Sequence, residues 1–261
     1  MLNIMICSPE EYIDTAVIAK EAGEELLTRL DWMTLQPTVM IDIGCKTGMI
    51  STKLQERYPQ AQLIAMDAAE NLLEHAQQHL MSHTSLICAD GQKIPLKEHS
   101  VDIIFANLFF SWQMDDQALL QEWRRILKPN GVLLFTALGP NTLKEWPELL
   151  HAYLIPRLVD MHDIGDLLVQ QGFSDPIVDV NHYTLNYQHS EKLIDELTIT
   201  DMITRLASES EIKQLTNKRD LSVTFEVIFA HAFMDPFIGV KPTDNGLTKI
   251  PASSLRQLLL K

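Results

Sequence analysis

Apolar positions along the chain recur with two periods. In SPEEYIDTAVIAKEAGEELLTRLDWM, residues 8–33, they fall three and four apart, which predicts an amphipathic helix with Ser8 as its cap and Pro9 in its first turn. The first 36 residues are therefore expected to be helical. From VMIDIG onward, short apolar runs alternate with helical patterns: strand VMIDIG, helix STKLQERY, strand AQLIAMD, helix AENLLEHAQQHL, strand TSLICAD. VDIIFANLF, GVLLFTAL, PIVDVNHYTLNY and SVTFEVIFAHAF supply four more strands, with helical patterns in DDQALLQEWRRIL and MHDIGDLLVQQ between them. Apolar strands alternating with helices imply a mostly parallel sheet covered on both faces. The last two strands, with no long crossover between them, imply an antiparallel edge. The expected fold is α/β and Rossmann-like: a seven-stranded, mostly parallel sheet with helices on both faces and an antiparallel edge strand.

Charge and cysteine usage narrow the partners. The 35 acidic and 21 basic side chains give a net charge of −14, which repels phosphate backbones, so no nucleic-acid partner is expected. Arg124, Arg125 and Lys128 fall on a helical pattern and read as a solvated face. MLNIMICSPEEY has neither a charged n-region nor a long apolar h-region. No later run approaches the roughly 20 apolar residues of a membrane helix, so a cytoplasmic protein with no membrane partner is expected. Cys7, Cys45 and Cys88 lie far apart without a CxxC or Cys/His cluster, which predicts reduced, mostly buried thiols and no metal site.

In doubly wound sheets, ligands bind beyond the carboxyl ends of the strands, at the point where strand order reverses. The candidate residues stand at such ends. Asp42, Gly44, Lys46 and Gly48 belong to the first strand and the loop after it, Asp67 ends the second, Asp90 and Gly91 the third, Asn107 the fourth. A glycine turn lets a ligand approach the backbone, amides at a helix start attract an anion, and an acidic side chain accepts ribose hydroxyls. Each of Asp67, Asp90 and Asn107 alone reads as a turn or cap residue. Four strand ends in order read as a ligand site. The string GCKTG departs from the dinucleotide pattern, and no GxxxxGK[ST], GxSxG or HExxH occurs, which removes the usual supports for nucleotide hydrolysis, ester hydrolysis and zinc chemistry.

The segments IDIGCKTG, AMDAAENLLEHA, ICADGQKIPLKEHSVDIIFANLFFSW and EWRRILKPNGVLLFTALGPNTLKEW resemble class I methyltransferases that use S-adenosyl-L-methionine (SAM). The latter two, with VDMHDIGDLLVQQGFSDPIVDV and TFEVIFAHAF, are similar to the malonyl-acyl-carrier-protein O-methyltransferase family, which opens pimeloyl assembly for biotin. The resemblance covers roughly residues 10–235. It implies SAM as cofactor and a malonyl group on an acyl carrier protein as substrate. It also implies that Gly44 and Gly48 approach the methionine end of SAM and that Asp67, with Ala68 beside it, holds the ribose. Asp90 and Gly91 would face the adenine, and Asn107 and Leu108 would line the methyl-donor pocket. Tyr12 reads either as a cap on the methionine carboxylate or as a helix residue packed on the sheet. Arg157 reads either as a substrate-carboxylate partner or as a surface residue at a helix end.

A malonyl carboxylate is already ionised near neutral pH, so no catalytic base is expected; alignment and desolvation suffice. The layout implied is a single domain over 1–261. A helical cover spans 1–36, a SAM-binding half 37–138, a lid 139–163, the second half of the sheet 164–235 and a tail 236–261. Three departures stand out. Lys46 replaces the family's central glycine, with its ammonium expected near the cofactor's carboxylate or in solvent. The N-terminal segment is short, and EKLIDELTITDMITRLASESEIKQL has no glycine. The alternatives left open are methyl transfer to another small acid and a non-catalytic, SAM-binding relative.

Overall fold

The computed structural model describes residues 7–109, 116–146, 153–154, 158–202, 204–205 and 219–235. The strands within them are β1 (Val39–Ile43), β2 (Gln62–Asp67), β3 (Ser85–Cys88), β4 (Val101–Ala106), β5 (Leu127–Leu138), β6 (Tyr153–Leu154), β7 (Phe173–His189), β8 (Thr204–Arg205) and β9 (Arg219–Met234). β6 and β8 pair as a separate ribbon. The other seven form one sheet in the order β3-β2-β1-β4-β5-β9-β7.

Neighbours from β3 to β5 run parallel, and β9 runs antiparallel to both β5 and β7. The antiparallel edge expected of the last two strands is present, with β7 outermost and β9 in the interior position beside it. The reason is burial. β9 is closed in on both faces from Val223 to Ala232, as an interior strand must be, whereas β7 alternates covered and exposed residues along most of its length. Strand order reverses between β1 and β4, so the ligand crevice lies at their carboxyl ends.

The helices are α1 (Pro9–Thr15), α2 (Val17–Thr28), α3 (Met49–Arg57), α4 (Glu70–Gln77), α5 (Asp116–Ile126), α6 (Met161–Gln170) and α7 (Ser190–Ile199). α1 starts as its sequence predicts. Ser8 and Glu11 form a reciprocal capping box, with Pro9 at the first turn. The single long helix expected over residues 8–33 is instead broken at Ala16, which adopts φ −78° and ψ 59°. No side chain of α2 caps its own start; the carboxylate of Glu196, from α7, accepts from Ile18 N at 2.7 Å. The helical pattern of α7 itself went unread.

Strand alternation divides the core between the two faces. Met40, Leu63, Phe105, Leu134 and Phe225 pack with α2, α3 and α7 on one side. Ile41, Ile64, Ile104, Leu133 and Ile228 pack with α5 and α6 on the other. Gly23 lets α2 sit close, since a Cβ there would stand 2.7 Å from Ile50 and 3.0 Å from Asn107 Nδ2. Among the described residues, no helix is long and apolar enough to cross a membrane.

Candidate functional site

The loop after β1 is built on three left-handed residues: Gly44 at φ 76°, Lys46 at φ 52° and Gly48 at φ 77°. Gly44 N and Cys45 N both donate to Met66 O, at 2.8 and 3.0 Å, tying the loop to β2. Asp67 then fixes two turns at once. Its Oδ2 accepts from Lys46 N at 3.0 Å and its Oδ1 from Ala69 N at 2.9 Å, and the residue is only 4% exposed. Asp42, buried beneath the loop, accepts from Ser51 Oγ. Burial drives the Asp42 carboxyl up, the Ser51 hydrogen bond opposes, and the charge of Asp67 adds, leaving it at about 7.

Lys46 lines a cavity wall, and its ammonium is partly exposed. It pairs with Asp201 Oδ2 at 2.7 Å, in the turn after α7. Burial alone would lower its pKa, but Asp67, Asp201 and Tyr12 outweigh that and raise it, so the side chain stays charged. A left-handed lysine costs about 1–2 kcal/mol. An ion pair as exposed as this one contributes about 0–1 kcal/mol. Lys46→Gly is therefore expected to stay within about 1–2 kcal/mol of wild type. Asp201→Asn, which loses the pair and keeps the strain, should be the less stable of the two. Denaturant melts rank them, and Lys46→Gly falling below Asp201→Asn would overturn this balance.

Between this loop and the N-terminal helices lies a cavity of about 30 Å³, whose walls include Tyr12, Lys20, Asp42, Gly44, Cys45, Lys46, Thr47 and Asn107. Burial raises the Tyr12 phenol, so it is a neutral donor there. Thr47 is buried with no partner for its hydroxyl among the described residues. Neither Thr47 nor Lys20 was singled out from the sequence, although Thr47 lies inside the GCKTG string. Asn107 borders the cavity, yet its side chain is committed: Nδ2 donates to Ala19 O at 2.6 Å, and Oδ1 accepts from Thr136 Oγ1 at 2.8 Å. It fastens α2 to the end of β4.

Gly48, Asp67, Ala68, Asp90, Gly91 and Leu108 do not border the cavity. Gly48 packs on α4, where a Cβ would meet Ala76 at 2.9 Å. Asp90 Oδ1 accepts from Gln92 N in its own turn, and Ala68 O accepts from the Cys88 thiol. Leu108 sits at φ 49°, with its N bonded to Thr136 Oγ1. Arg157 lies outside the described residues, as does much of the expected lid. The start of that lid is fastened to β9. Leu143 N donates to Thr224 O at 2.7 Å, Thr142 Oγ1 donates to Glu226 O, and Glu145 accepts from both N and Oγ1 of Thr224. Arg124 and Arg125 close α5 immediately before β5 begins, at the opposite end of the sheet from the crevice, and Arg125 is bonded to Glu122, Ile94 O and Leu96 O. Cys7 and Cys45 are buried and Cys88 is exposed; all three are free.

A family model described as a methyltransferase domain matches residues 41–135. Over 240 residues, the chain is 35% identical to Malonyl-[acyl-carrier protein] O-methyltransferase 1 of Coxiella burnetii, covering 85% of this chain and 83% of that protein. Over 250 residues it is 32% identical to Malonyl-[acyl-carrier protein] O-methyltransferase of Gallionella capsiferriformans, covering 86% of each. Among solved structures, Haemonchus contortus phosphoethanolamine N-methyltransferase 2 in complex with SAM shares the fold. The TM-score is 0.54 at 18% identity, with 88% of this chain and 61% of that one covered.

Proposed function

Because the chain belongs to the malonyl-[acyl-carrier protein] O-methyltransferase family, we propose that it methylates the free carboxylate of a malonyl thioester carried by an acyl carrier protein, at the start of pimeloyl and biotin synthesis. It is a SAM-dependent methyltransferase. The observation that carries the reading here is the crevice at the reversal between β1 and β4, walled by a left-handed glycine loop. The residues fit the cofactor. The buried Thr47 hydroxyl lacks a partner among the described residues, Gly44 offers bare backbone on the cavity wall, and the Asp42 carboxyl stands close by. When bound, SAM supplies an electrophilic methyl group on a sulfonium.

Gly44, Lys46, Thr47 and Tyr12 would hold the methionine end, with Gly48 setting the turn. Asp67, Ala68, Asp90 and Gly91 would border the adenosyl end, and Asn107 and Leu108 the methyl group. Since the malonyl carboxylate is ionised at neutral pH, the protein's task is to align it and exclude water rather than to remove a proton. The N-terminal helices do the excluding: α2 is held on the crevice by Asn107 and by Glu196. An acidic carrier needs a local cationic surface on a chain of charge −14. Lys144, exposed in the turn after β5, and Lys20, exposed at the cavity, stand on the right side of the sheet for it.

The test offers SAM-loaded protein malonyl and acetyl thioesters on the same carrier. A methyl ester is expected from the malonyl thioester alone, because acetyl has no free carboxylate. Ester from neither, with SAM binding intact by calorimetry, removes the malonyl assignment and leaves the cofactor site standing.

A further inference from the structure

The ring of Phe109, the third residue after β4, lies across two glycines of the crevice. A Cβ on Gly44 would stand 2.6 Å from Phe109 Cδ2, and one on Gly91 would stand 2.4 Å from its Cζ and 2.6 Å from its Cε1. A single ring therefore spans the gap between the loop after β1 and the turn after β3. It is aimed there by Leu108, held in the left-handed region with its N–H on Thr136, and it is backed by Trp123 at 6.0 Å between centroids.

The cavity on the Tyr12 and Lys46 side of Gly44 is about 30 Å³, and neither Phe109 nor Gly91 lines it. One water's share of the liquid is about 30 Å³. Small-molecule sites run to about 300–1,000 Å³. The ring takes up the space that a flat group would need between Gly44 and Gly91.

The geometry points to Phe109 as a gate: its ring occupies the adenosyl end of the cofactor site and swings out as the cofactor enters. The inference rests on the cofactor site proposed above. Its consequence is thermodynamic. When only the ring-out population can bind, apparent affinity falls by the fraction of molecules in that state.

The experiment titrates wild type, Phe109→Ala and Phe109→Leu with SAM and with S-adenosylhomocysteine by calorimetry, and follows association by rapid mixing through tryptophan emission. With a ring-out population of about 10% or less, Phe109→Ala should bind both ligands about tenfold tighter or more and associate faster. Phe109→Leu, which keeps an apolar side chain and the local packing, should fall between; it carries the test if the alanine variant does not fold. Unchanged affinity and rate in a folded variant overturn the gate. Weaker binding also overturns it, making the ring a stacking wall of the bound state. No binding by wild type or by folded variants removes the cofactor site itself and the gate with it, an outcome distinct from wild type binding with no gain in the variants.

Discussion

Asp67→Ala is expected to lose SAM binding and stability together. The carboxylate accepts from Lys46 N and Ala69 N while almost wholly buried, so its removal strands two backbone donors in the loop after β1 and at the start of α4. A buried donor left unmade costs about 1–3 kcal/mol, giving about 2–6 kcal/mol for the pair, a large share of a domain's 5–15 kcal/mol. SAM affinity should fall by about a hundredfold or more, because the turn that presents Gly44 and Thr47 is no longer fixed. Asp67→Asn separates this role from ribose recognition. It keeps one acceptor and turns an NH₂ group on the other donor, so organising the turns predicts an intermediate loss of both quantities. Full stability with affinity alone reduced would mean that the carboxylate serves the ligand and not the loop. Urea melts and calorimetry on the three proteins read both.

Contacts close in sequence were legible from the residues alone. The Ser8 cap with Pro9 in the first turn, the glycine turn after β1 and the alternation of apolar strands with helices each depend on neighbours within a few positions, and each stands where its pattern put it. What escaped depends on distant partners. Lys46 meets Asp201, 155 positions away, and Glu196 caps α2 from 178 positions away; no local pattern announces either. The placement of β9 inside the sheet was readable in principle. SVTFEVIFAHAF closes on VIFAHAF, an apolar run broken only by His231, whereas PIVDVNHYTLNY keeps polar residues throughout, as befits an interior and an edge strand respectively. α7 also left a trace, in Leu193, Glu196 and Leu197 at helical spacing, all buried. The charge in that set has a use that spacing cannot show.

That charge sets the last expectation. Glu196 is 1% exposed, accepts from Ile18 N at 2.7 Å and from Tyr187 OH at 2.7 Å, and is the only side-chain cap at the start of α2 among the described residues. Glu196→Ala should cost about 1–3 kcal/mol for the buried Ile18 N–H left unmade, and less for the half-buried Tyr187 hydroxyl. Glu196→Gln keeps an oxygen for Ile18 and can donate to the tyrosine oxygen, so it should cost no more than about 1.5 kcal/mol. The two also differ in their response to pH. Burial raises the Glu196 carboxyl above its ordinary value, with the bonds from Ile18, Tyr187 and Val17 only partly restoring it. A folded-state pKa above the unfolded one means that this group's contribution is whole below the ordinary carboxyl range. It is lost as pH rises through the folded value. Wild-type stability should therefore show a loss from this group upward of about pH 4.3, and Glu196→Gln should lack that component. Since α2 carries Ala19 and Lys20 to the cavity, Glu196→Ala should also expose residues 8–33 to limited proteolysis and weaken SAM binding, while Glu196→Gln should do neither. An alanine variant with wild-type stability and protection would show that α2 is held in place without this carboxylate.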